Sequence, residues 1–122
     1  METKSLTSIL TLFFQLSNDL HWHHLNTKSF AEHKALEFAY EKILGYKDTI
    51  AEQLIPFEGK LTTMKLLPIP STSKCSQLPT DIVIAAEALC ELAEAKGYDN
   101  IENLSEEIKG VAAKLKYLLN LV

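Results

Sequence analysis

An all-α fold, four helices in a bundle with one long crossover, is what this 122-residue sequence predicts, on three observations. Apolar residues recur at steps of three and four in four separate stretches, the pattern of helices that each bury one face. Two joints between those stretches are short and carry helix-capping residues. The remaining joint, 56–79, is long and holds prolines at 56, 68, 70 and 79, so it connects more than it folds.

Helix α1 is expected from about Lys4 to Leu25, with Leu6, Ile9, Leu10, Phe13, Leu16 and Leu20 along one face. That spacing, with no small-residue cleavage site behind it, makes the segment a structural helix and not a signal peptide. A short NTKS turn follows. Ser29 and Glu32 have the S-x-x-E spacing of a capping box, which opens α2 over about 29–55, and Pro56 is expected to end it. On α2 the residues Leu36, Tyr40, Ile43, Lys47, Ile50 and Leu54 form the stripe that faces the core, with the stem of Lys47 snorkelling. In the crossover, LTTMKLL has room for one helical turn.

Helix α3 is expected over about 80–97, closed by Gly97, and α4 over about 100–122, opened by Asp99 and Glu102 at capping-box spacing. The α4 stripe is Ile101, Leu104, Ile108, Val111, Leu115, Leu118 and Val122. The chain reads as one domain over 1–122. The short turns make α1 antiparallel to α2 and α3 antiparallel to α4, and the single long crossover between them is the ferritin-like connectivity.

A net charge of −4, with no basic arm and no long apolar run, points away from membranes and from strong nucleic-acid binding. Lys60, Lys65 and Lys74 are too sparse, and lack the interleaved aromatics, for a nucleic-acid surface. Cys75 and Cys90 match no zinc spacing and fit a reducing compartment, so a cytoplasmic protein is expected.

The chemistry sits on a second face of α2. At 100° per residue from His33, Glu37 falls near 40°, Asp48 near 60° and Glu52 near 100°, away from the core stripe near 300°. Glu37 and Asp48 are eleven residues apart, or about 16 Å along the axis, too far for one metal centre with bonds of about 2 Å. Two copies of α2 packed antiparallel about residues 42 and 43 would bring His33 and Glu37 of one opposite Asp48 and Glu52 of the other. Leu44, Ala51 and Ile55 supply apolar contacts there, and Gly45 sits at the closest backbone approach. His21, near the end of α1, folds back toward His33. Two imidazoles and three carboxylates suit iron or manganese better than structural zinc.

These residues resemble the mini-ferritin family of DNA-binding proteins from starved cells (Dps). The resemblance rests on His21-Trp22, a His twelve residues after the first (His33), an acid four later (Glu37), Asp48 eleven further and Glu52 four beyond, with DTIAEQLI like the family's D-x-x-A-E-R segment. It implies a ferroxidase whose di-iron centre is shared between two subunits, and a homodimer across α2 within a larger shell. One iron would be held by His21 and the mate's Asp48, the other by His33 and Glu37, with the mate's Glu52 bridging and Trp22 as a redox neighbour. Three departures stand beside it: Glu37 occupies a usual Asp position, the lysine-rich arm is missing, and α4 ends in KLKYLLNLV without pore-lining acids.

A second expectation belongs to a different class. The same bundle serves as a structural or interaction protein, for example a viral assembly component in a host cell or virion, with a vestigial or dimer-holding metal site. Asp48 and Glu52 then form an ordinary solvated face and Trp22 packs the hairpin end. His23 and His24 match no position of the motif. His24 lies on the His21 face as an auxiliary ligand, or is a plain hydrogen-bonded histidine.

Overall fold

A computed structural model describes residues 3–122. Its helices are α1 (Leu6–Asn26), α2 (Phe30–Glu58), α3 (Leu78–Lys96) and α4 (Asp99–Leu119), with a single 3₁₀ turn, Cys75–Gln77, leading into α3. No strand occurs among the described residues.

The ends of these helices follow from local hydrogen bonding. Ser5 caps α1 by accepting from the Ser8 N–H at 3.1 Å, and Ser29 caps α2 by accepting from the Glu32 N–H at 3.2 Å. Contrary to expectation, Pro56 does not end α2. A proline removes only its own bond to residue i−4, here exposed Glu52, and the next turn still closes with the Gly59 N–H on the Ile55 carbonyl at 2.9 Å. The helix stops at Gly59, whose φ of 92° only glycine adopts freely.

Helix α3 starts two residues earlier than expected because Pro79 fits its first turn, where no N–H bond is required. Gly97 closes it as expected, at φ 75°, and the Tyr98 N–H reaches the Ala93 carbonyl at 2.9 Å. The Asp99 capping box does not form. Tyr98 takes the cap position without a side-chain bond, while Asp99 and Glu102 lie in the first turn, where their charge favours the helix dipole.

Helices α1 and α2 pack together, as do α3 and α4, and the two hairpins meet through α2 on α4 and α1 on α3. The crossover runs back along α1. The Thr62 N–H bonds Thr7 Oγ1 at 2.9 Å, the Gln15 amide grips Leu67 at its N–H (2.7 Å) and carbonyl (3.1 Å), and Ser73 meets His23 at 3.0 Å. LTTMKLL is therefore extended and not a helical turn, because its backbone is spent on α1. The return of the chain leaves α2 and α3 parallel and every packed pair antiparallel.

All six α1 stripe residues are buried, with Leu36, Ile43, Ile50 and Leu54 of α2 and Ile101, Ile108, Val111 and Leu115 of α4. Lys47 is half-buried and its ammonium rests 4.1 Å from the Phe14 ring centre, so the snorkelling stem ends on an aromatic face. Val122 lies beyond α4 and is exposed.

Candidate functional site at the hairpin end

The histidines converge where α1 turns into α2. His24 lies in the last turn of α1 and His33 in the first turns of α2, and closing the hairpin sets their rings 3.8 Å apart, 21° from parallel. His24 Nδ1 lies 3.0 Å from the His33 carbonyl, and His33 Nδ1 lies 2.8 Å from the His24 carbonyl. A carbonyl only accepts, so both Nδ1 atoms carry the proton and both Nε2 atoms keep a lone pair in the neutral rings. The His24 carbonyl is one of the last four of α1, which have no partner inside the helix, so His33 caps α1 from its neighbour.

The stack continues in both directions. His21 lies over Tyr40 at 4.6 Å and 17°, and 6.2 Å from His24, while Phe30 lies 6.4 Å from His33 on the far side. Tyr40, His21, His24, His33 and Phe30 thus make a ladder of rings across the two helices. His23 points the other way. It is buried, its Nε2 meets Ser73 Oγ, and Trp22 packs edge-on against it at 4.9 Å. Burial pushes the His23 pKa below its ordinary value, against the raising pull of Asp19 and Glu32, so it is held neutral.

The anticipated ligands fall into two groups on the α2 surface. Glu37 is paired with Lys34 at 2.9 Å, and this hydrogen bond and charge hold its carboxyl below the usual range. Asp48 and Glu52 are exposed about three and four turns further along α2. Among the described residues of one chain, no three His, Cys, Asp or Glu side chains gather closely enough for a metal ion. His24, which matched no motif position, turns out to be the partner of His33. Its i, i+3 relation to His21 was the one signal in the sequence.

Fold and site together define a helical bundle protein whose histidines clasp a hairpin. A family model described as "Family of unknown function (DUF5856)" matches residues 24–119, most of the chain, and the protein belongs to that family. It is similar to the "Uncharacterized 14.6 kDa protein in mobD-ri intergenic region" of Enterobacteria phage T4, with 29% identity over 104 residues, covering 83% of this chain and 77% of that protein. No solved structure matches.

These findings correct the mini-ferritin resemblance. The family is a different one, and its matched segment begins after His21-Trp22, the most distinctive part of the motif. The remaining four positions are one histidine that caps a neighbouring helix and three acids on an exposed face.

Proposed function

We propose that the protein is a non-enzymatic interaction protein of a phage-infected cell, which pairs with a second copy through the outward surface of α2. The observation that carries this reading is Gly45. It lies inside a helix, where glycine costs about 1 kcal/mol relative to alanine, and a Cβ there would meet nothing within 4 Å. Nothing inside the chain requires it. Gly110 of α4 is equally open. Asn100 bonds Gln53 and Lys114 lies over the Phe38 ring, so antiparallel packing brings Gly110 close to the level of Gly45. Helical spacing turns both toward the outer seam of α2 and α4, where a partner's backbone could approach closely.

Leu44, exposed beside Gly45, and half-buried Ala51 and Ile55 give that surface its apolar content. Glu37, Glu41, Asp48 and Glu52 outnumber Lys34 and Lys42 there, so two copies meet against like charge. The phage relative supports the infected-cell setting. We read the connectivity as ferritin-like in chain order alone, without kinship or chemistry.

Sedimentation velocity across a concentration series tests the reading. A dimer is expected that persists in EDTA and tightens with added salt, which screens the acidic stripes. Gly45→Arg should yield a monomer with an unchanged helical circular dichroism spectrum. A wild-type chain that stays monomeric at high micromolar concentration, or a dimer that EDTA dissolves, overturns it.

A further inference from the structure

On the opposite side of the bundle, α1 and α3 enclose a groove of about 220 Å³ lined by Leu12, Gln15, Leu16, Asp19, Asp81 and Ile84. Its walls are apolar, and Ile84 is half exposed there although it sits on a packed helix. The two charged groups that line it are both carboxylates, and each is held by a neutral amide one turn away, Gln15 itself lining the groove. Gln15 Nε2 donates to Asp19 Oδ1 at 3.0 Å, and Gln77 Nε2 lies 3.4 Å from Asp81 Oδ1.

Neither carboxylate has a cation among the described residues. The ion pairs among the described residues are Lys34 with Glu37, Lys96 with Glu58 and Lys109 with Glu106, all elsewhere. Burial raises the Asp81 pKa, Gln77 opposes this, and the charge of Asp19 raises it further. Two facing acids beside apolar walls destabilise the free protein, and only a group that is apolar along its length and cationic at its tip satisfies both features.

We propose that this groove receives an arginine side chain presented by another protein, its methylene stem along Leu12, Leu16 and Ile84 and its guanidinium between Asp19 and Asp81. Arginine fits better than lysine because its planar fork serves two carboxylates at once and is more weakly hydrated. The groove lies away from the outward surface of α2, so the inference stands independently of self-pairing.

The test uses the full-length protein with methyl-labelled Leu and Ile, titrated with Nα-acetyl-arginine amide and followed by NMR. Saturable shifts at the Leu12, Leu16 and Ile84 methyls, at millimolar probe, are expected. The neutral isostere Nα-acetyl-citrulline amide should give none. Asp19→Asn and Asp81→Asn should each weaken binding by about tenfold or more while the chain melts no lower, since each removes a repulsive charge. Equal binding of the citrulline probe, absence of localised shifts, or wild-type affinity in both variants overturns the proposal. Preferential binding of free spermidine at the same methyls overturns the assignment to a protein partner.

Discussion

His24 and His33 each donate an imidazole N–H to the other's backbone carbonyl, at 3.0 and 2.8 Å, with their rings 3.8 Å apart. Each residue is at once donor and acceptor, so the pair locks the end of α1 to the start of α2 without any third group. Removing either ring deletes one of the two bonds and the stack, while the other ring's N–H keeps its backbone carbonyl; removing the His33 ring also leaves the helix-end carbonyl of His24 without a partner. His24→Ala and His33→Ala should each destabilise by about 1–3 kcal/mol, and the double variant by clearly less than their sum. Urea unfolding of the four proteins measures this, and additive losses would show that the two rings act separately.

His23 makes stability fall in mild acid. Its folded pKa lies below the unfolded value of 6.5, so the unfolded chain binds the proton first. Its contribution is fully present above pH 6.5 and is lost as pH falls from there toward the folded pKa. His23→Gln should flatten the stability profile over that window while keeping a hydrogen bond within reach of Ser73. An unchanged profile would mean that folding does not shift the imidazole's pKa.

Both thiols should be sluggish. Burial pushes Cys75 up to about 11, and burial also raises Cys90, beside the Glu94 carboxylate that accepts from it at 3.4 Å. At pH 8 the thiolate fraction of Cys75 is then on the order of one in a thousand, and Ellman's reagent should label it far more slowly than free cysteine. Rapid labelling of Cys75 in the native protein would contradict its burial in the turn that leads into α3.

On the reading of a non-enzymatic interaction protein, ferrous iron should be left alone. Anaerobic Fe²⁺ mixed with the apo-protein and then with peroxide should oxidise at the rate of the buffer control. A protein-dependent acceleration that His33→Ala and Glu52→Ala each abolish would restore the oxidase reading. Duplex DNA at about 150 mM salt should likewise not be retained, given the net charge of −4.

Much of the bundle was legible because helical periodicity and burial are the same physical fact. All six stripe residues expected on α1 are in the core, and the short turns gave the hairpins. The errors lie where a rule about one residue met its neighbourhood. Pro56 is a breaker in isolation but tolerable in a last turn, and Asp99 lost the cap to Tyr98 because the Gly97 turn had already set the backbone. The site was harder to read. The meeting of His24 with His33 depends on how tightly the NTKS turn closes, which no spacing along a single helix encodes. The Gln15 clasp on Leu67 joins residues 52 apart through a backbone that has no pattern of its own. The spacing of Glu37, Asp48 and Glu52 is helical, a property that any exposed helix face shares.

The central claim, that two copies meet on the outward surface of α2, is tested most directly by a distance between subunits. Spin labels at Glu41→Cys, in a chain whose Cys75 and Cys90 are replaced by serine, would be read by pulsed dipolar spectroscopy. Antiparallel α2 helices packed about 8–10 Å apart place the two labels within roughly 30 Å of each other. The account predicts one narrow distance in that range, lost with Gly45→Arg, and a distinctly longer one for labels at Ile84→Cys on the far side. No dipolar signal at position 41, or a shorter distance at position 84, would contradict it.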